Sequence, residues 1–161
     1  MNSLPGLVAF DIDGTLLRSD GSLSNRVRQA VQAVKSRGCA VVLATGRPWK
    51  QVAALADELA AVDYCVCLNG ATVFQSDGSL FGMSTIPEEL KIEGAEIARN
   101  RFPDIALAAD MADGRHIWDE HFIHDFPSDF EIDPVRVPDA LTAVDGPVLT
   151  WLLDCKEVDP R

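Results

Sequence analysis

From residue 6 the chain alternates short apolar runs with amphipathic stretches. GLVAF (6–10) is a continuous apolar run, the pattern of a strand buried on both faces. It stops against acidic and glycine-rich residues that mark its carboxyl end. Ser24 can cap a helix that carries Val27, Ala30, Val31 and Val34 at helical spacing, and Gly38 ends it. CAVVLAT (39–45) is a second β-branched run, stopping at Thr45-Gly46-Arg47. Pro48 then opens a helix through Val52, Leu55, Ala56 and Leu59 to about Ala61. YCVCL (64–68) is a third run and ends at Asn69-Gly70. Strand, helix, strand, helix, strand with short links predicts a right-handed parallel α/β layer. In such layers ligands bind at the carboxyl ends of the strands. Those three loops hold Asp11 and Asp13, Thr45 and Arg47, and Asn69.

The pattern changes further along. ATVF (71–74) and SLFGM (79–83) flank Ser76-Asp77-Gly78 and read as a β-hairpin. Pro87-Glu88-Glu89 starts a helix to about Arg101, with its acids placed to suit the helix dipole. Residues 104–110 and 115–120 read as strands around Asp113-Gly114, and 146–155 as a further strand. Residues 121–146 have weak periodicity and read as short helix and loop. The change of character near 83–87 predicts a second domain or an insertion.

Composition narrows the function classes. Of 161 residues, 47% are hydrophobic and 24% charged, the balance of an ordinary globular chain. The formal net charge of -11 opposes contact with nucleic acid backbones and anionic membranes, so neither is an expected partner. A small anionic substrate stays compatible, because a metal or local cation can reverse the field inside one cleft. No apolar run has the length of a membrane span, and MNSLPGLVAF lacks the basic segment of a secretory signal. Cys39, Cys65, Cys67 and Cys155 show no paired C-x-x-C spacing; reduced structural thiols are the expectation, and a metal pair at Cys65 and Cys67 the rival. These features predict a cytoplasmic protein.

The sharpest chemical signal is AFDIDGTLL (9–17), where an apolar strand runs into two carboxylates one residue apart. Like charges that close repel and resist desolvation, so something must compensate. Gly14 permits close backbone approach, and Thr15 can bond back to the turn. A calcium loop of the EF-hand kind does not fit, because Gly14 comes too early and position 22 is a serine. An acidic surface turn seldom follows a wholly apolar strand, and a phosphate-accepting receiver site seldom continues Gly-Thr-Leu.

Asp11-Ile12-Asp13-Gly14-Thr15-Leu16-Leu17 resembles the first motif of the haloacid dehalogenase (HAD) superfamily of phosphotransferases. Ala44-Thr45-Gly46-Arg47-Pro48 resembles the second motif of its Cof-type branch, and Leu68-Asn69-Gly70-Ala71 resembles that branch at the third strand. The resemblance implies an α/β fold: residues 1–82 as the N-terminal part of a HAD-like, Rossmann-like parallel core with its hairpin, and 83–161 as the first part of an inserted α/β cap domain, both incomplete. It implies Asp11 as nucleophile, forming an aspartyl-phosphate, and Asp13 as general acid and then base. Mg²⁺ would sit on the Asp11 carboxylate and the Asp13 carbonyl. The Thr45 hydroxyl would hold phosphoryl oxygens, and Ile12, Gly46, Arg47 and Asn69 would lie on the phosphate or substrate side. For Arg47 an ordinary surface ion pair is the competing reading.

The family also uses a downstream lysine and an acidic Gly-Asp cluster, and neither is in this sequence. The lysines are Lys35, Lys50, Lys91 and Lys156, none at a matching position, and no Gly-Asp dipeptide occurs. The expectation is a fragment in which GLVAF forms an exposed hydrophobic edge that invites self-association. Its expected activity is a Mg²⁺-dependent hydrolysis of a small phosphorylated metabolite, impaired in this chain alone. The rival is a non-catalytic binding or interaction module, or one half of a complemented enzyme.

Overall fold

Three parallel strands carry the first loops, as the apolar runs predict. The computed structural model describes residues 6–123 and 132–155. The chain divides into two compact units, Met1–Ser84 and Thr85–Arg161.

In the first unit the order is β1 (Leu7–Asp11), α1 (Asn25–Ser36), β2 (Ala40–Ala44), a 3₁₀ turn (Trp49–Gln51), α2 (Ala53–Leu59), β3 (Tyr64–Cys67), β4 (Thr72–Gln75) and β5 (Leu80–Met83). The five strands form one sheet in sequence order, β1, β2 and β3 parallel and the β4–β5 hairpin antiparallel. Asp11 pairs with Ala44 and Ala44 with Val66, which brings the three carboxyl ends level. Ser24 caps α1, its hydroxyl accepting from the Val27 N–H at 3.2 Å. Val31 of α1 and Leu55, Ala56 and Leu59 of α2 share one core cluster with Val41, Leu43, Cys65 and Cys67. Both helices therefore pack on the same face of the sheet.

Two expectations change. Pro48 does not enter the helix; its backbone is extended (φ -71°, ψ 157°), and the chain passes through the 3₁₀ turn before α2 begins. GLVAF is not buried on both faces. Among the described residues β1 pairs only with β2, and burial alternates along it, with Leu7 54% exposed. A strand at a sheet edge with helices on one face can bury only every second side chain.

The second unit runs α3 (Glu88–Lys91), α4 (Glu93–Arg101), β6 (Ala106–Met111), β7 (His116–Asp119), β8 (Val135–Val137), α5 (Ala140–Ala143) and β9 (Val148–Asp154). Its sheet has the order β8-β7-β6-β9, with β7 and β8 parallel and the other pairs antiparallel. β6 lies inside this sheet and is buried along its whole length. Leu107, Ala109, Met111, Ile117 and Val148 pack with Ala95 of α4 and Ala140 of α5. Ala106, Ala108, Trp118 and Phe122 form the cluster on the opposite face. The helix expected over 87–101 is broken at Ile92, which keeps helical backbone angles. The stretch 121–146 contains a strand, β8, that its pattern did not announce: three residues, two of them exposed, are too few to show alternation. Residues 124–131, part of that stretch, lie outside the described residues. Trp118 packs edge-on to Phe122 (5.0 Å between centroids), and the Trp151 indole N–H donates to the Lys91 carbonyl at 2.8 Å. These two rings are packing elements.

Candidate active site

β1 ends on Asp11, and the next residue sets the turn. The Ile12 side chain is fully buried, and its carbonyl accepts from the N–H groups of Thr15, Leu16 and Leu17 at 3.3, 3.0 and 2.9 Å. Gly14 sits at φ +73°, a left-handed conformation that costs glycine nothing. This anchoring leaves Asp11 and Asp13 exposed on either side of a core residue. Only the main chain of Ile12 can face a ligand. Thr15 bonds back as its position suggests, its hydroxyl donating to Asp11 Oδ2 at 3.3 Å.

The second and third loops are stitched to each other. The Thr45 N–H donates to the Val66 carbonyl at 2.9 Å, the Asn69 N–H to the Thr45 carbonyl at 3.1 Å, and the Leu68 N–H to the Arg47 carbonyl at 3.1 Å. Thr45 is buried, and its hydroxyl oxygen accepts from the Arg47 N–H at 3.1 Å. With that lone pair engaged, the hydroxyl hydrogen is left to donate. Leu68, Asn69 and Gly70 all have positive φ (50°, 54° and 104°). For leucine this is a strained conformation, costing on the order of 1–2 kcal/mol, of the kind held in place by surrounding bonds at functional loops. Nothing in the sequence announces it beyond the Asn-Gly pair. A Cβ at Gly46 would lie 3.2 Å from Asn69 Oδ1, so the glycine is what lets the Asn69 amide close over the second loop.

Arg47 supplies the compensation for the paired carboxylates. Its Nε and Nη2 donate to the two oxygens of Asp13, at 2.9 and 2.5 Å, a two-pronged fork. The Arg47 side chain is 19% exposed and that of Asp13 58%. Of the two roles open to Arg47 from its sequence position, the structure shows the ion pair, and with an acid of the same site. The structure thus assembles Asp11, Ile12 and Asp13 on one loop, joins Arg47 to Asp13, and ties Thr45, Gly46 and Asn69 to the Arg47 loop.

Other groups stand apart. Lys35 pairs with Asp63, Lys91 with Glu88, and Lys50 is exposed on the 3₁₀ turn; Lys156 lies outside the described residues. Burial pushes the thiols of Cys65 and Cys67 up to about 11 and about 12, in keeping with inert core cysteines. A cleft of about 780 Å³ in the second unit, lined by Arg99, Asp119, Asp139 and Asp154 among others, includes none of the residues above. Among the described residues no group of three or more His, Cys, Asp or Glu is placed to hold a metal. The donors at the first loop are hard oxygens, the Asp11 carboxylate and the Asp13 carbonyl. They fit Mg²⁺ in kind, since that ion keeps several waters and takes one or two carboxylates together with substrate phosphate.

The chain is 28% identical over 162 aligned positions, 99% of its length, to the 5-amino-6-(5-phospho-D-ribitylamino)uracil phosphatase YitU of Bacillus subtilis. It spans 59% of that relative. Among solved structures, a haloacid dehalogenase-like hydrolase from Bacteroides thetaiotaomicron superposes with a TM-score of 0.64 at 23% identity, over 88% of this chain and 55% of that one. The HAD subclass IIB sugar phosphatase BT4131 superposes with a TM-score of 0.67 at 21% identity, over 89% and 56%. Both superpositions speak to the fold. The profile of the haloacid dehalogenase-like hydrolases matches residues 8–124, from the first strand past the end of β7, and the chain belongs to that family.

Proposed function

We propose that the chain carries the nucleophile-bearing part of a Mg²⁺-dependent phosphomonoester hydrolase acting on a small phosphorylated metabolite. The observation that supports this best is the single carboxyl edge of β1, β2 and β3, which gathers a carboxylate pair, a buried threonine hydroxyl and an arginine fork. Asp11 Oδ attacks phosphorus, the bond to the leaving alkoxide breaks, and an aspartyl-phosphate forms on Asp11. Asp13 gives a proton to the departing oxygen and later takes one from the water that cleaves the acyl phosphate. The Thr45 hydroxyl donates to a phosphoryl oxygen, and the main chain of Ile12 and Gly46 lines the same space. Asn69, held over Gly46, faces the substrate side. The Asp11 carboxylate and Asp13 carbonyl would hold Mg²⁺, which when bound offsets the charge of carboxylate and phosphate together.

YitU is a phosphatase of a phosphorylated ribitylamino-uracil, and the substrate class proposed here is phosphomonoesters of that general kind. Incubation with p-nitrophenyl phosphate and MgCl₂, followed by peptide mass spectrometry, is expected to show a phosphoryl adduct on the Asp11 peptide. Turnover is expected to be slow, because a missing oxyanion donor alone costs about 10²–10³ in rate. Asp11→Asn abolishes both adduct and nitrophenol release; equal activity in that variant overturns the assignment.

The outer edge of β1, which no strand among the described residues covers, is the proposed route of self-association. Leu7 and Ala9 point outward, and no charge or proline interrupts Leu7 to Phe10. Light scattering is expected to show mass rising with concentration, and a constant monomer mass overturns the proposal.

A further inference from the structure

We propose that Arg47 is contested between two anions, the Asp13 carboxylate that holds it in this structure and a substrate phosphoryl group, so that phosphoryl binding releases Asp13 for proton transfer. The inference rests on the reading of the loops as a phosphoryl site. A guanidinium fork matches a carboxylate and a phosphate in the same two-pronged way, and the Nε–Nη2 edge that Asp13 occupies cannot hold a second anion in that way at the same time. The main chain of Arg47 is fixed: its N–H donates to Thr45 Oγ1 and its carbonyl accepts from the Leu68 N–H. That pinning ties the base of the side chain to the loop whose hydroxyl addresses a phosphoryl oxygen, and only the side chain has to move.

The pair is also open to competition. Asp13 is 58% exposed, so a soluble anion can reach the fork, while Arg47 is only 19% exposed and keeps its place at the loop. A doubly charged phosphoryl group is the stronger competitor for the fork. While the fork holds both Asp13 oxygens, the carboxylate is turned toward Arg47. Transfer of the fork to phosphate leaves the same carboxylate unpaired when a leaving oxygen has arrived. Substrate without a phosphoryl group would not trigger the release.

The test is a double-mutant cycle on inorganic phosphate affinity, measured by calorimetry at fixed MgCl₂ on the full chain, Asp13→Ala, Arg47→Ala and the double variant. Removing Asp13 is expected to tighten phosphate about tenfold when Arg47 is present and less than about threefold when it is absent, a coupling of ordinary size for linked sites. Equal changes in both backgrounds mean that Asp13 acts by its charge alone, and overturn the competition. The Arg47 Nε–H resonance gives a second reading in the unaltered chain: it is expected to shift as phosphate saturates. A resonance that stays fixed while phosphate binds overturns the release. Absence of phosphate binding in all four proteins instead overturns the phosphoryl-site reading on which the inference stands.

Discussion

Asp11 closes β1 in the first unit and Asp119 closes β7 in the second, and the same carboxylate does different work in the two places. Asp119 is buried, and its oxygens accept from the Leu107 and Ala140 N–H groups and from Arg99, the Leu107 bond at 2.7 Å. Arg99 in turn holds Asp139, which caps α5 through the Leu141 N–H. One side chain thus joins β6, β7, α4 and the start of α5. Asp11 is exposed and takes one hydroxyl bond, at 3.3 Å, from Thr15. A strand-end aspartate is structural when backbone donors saturate it and burial hides it. It is available for chemistry when its lone pairs face solvent.

The largest expected effect breaks the second unit. Asp119→Ala leaves two buried N–H groups and part of Arg99 unpaired, a loss of about 3–5 kcal/mol, comparable with the whole stability of a small domain. Hydrogen exchange followed by mass spectrometry should show β6 and β7 losing protection while β2 and β3 keep theirs. Unchanged protection at Leu107 and Ala140 would refute the structural role.

How much of this contrast was legible in the sequence depended on what carries each feature. The strands β1, β2 and β3 were readable because each is one unbroken apolar run ending on polar loop residues, and the hairpin because Asp77-Gly78 sits between two such runs. The site's acids, Thr45 and Asn69 were readable because they fall at those ends. The Arg47–Asp13 fork was not, since it joins residues 34 positions apart and follows from the parallel register of β1 with β2. The role of Asp119 is invisible in Ile117-Trp118-Asp119 for the same reason: its partners at Leu107 and Ala140 arrive only through tertiary packing. The broken entry to α2 and the left-handed Leu68 are local, but no residue pattern encodes them.

Asp63 stands between the two extremes and has a pH signature. It precedes β3, its Oδ2 accepts from the Val41 N–H at 2.8 Å, and Lys35 pairs with its other oxygen. Partial burial pushes its carboxyl up, but the Lys35 and Val41 bonds outweigh that and hold it below the ordinary carboxylate range. The unfolded chain therefore binds this proton more readily than the folded one. The stabilisation is fully present above the unfolded value of about 3.9 and is lost as pH falls through the lower folded value. Asp63→Asn should cost about 1–2 kcal/mol at neutral pH and flatten the acid limb of the stability curve. A urea midpoint with the same slope below pH 4 in both proteins would contradict this.

The smallest expected effect is the one that defines the open end of the comparison. Asp11→Asn loses one long hydroxyl bond, and Asp13→Asn loses an ion pair with 58% of the Asp13 side chain exposed, a class worth about 0–1 kcal/mol. Each substitution also removes one of two neighbouring negative charges, which favours the folded loop and offsets the loss. Urea unfolding of both variants should stay within about 0.5 kcal/mol of the parent, the usual range for surface positions. With phosphoryl transfer to Asp11 abolished in the first variant, that near-zero stability change separates chemistry from architecture at this loop. A loss above about 2 kcal/mol in either variant would place Asp11 or Asp13 with Asp119, as a residue that holds the fold.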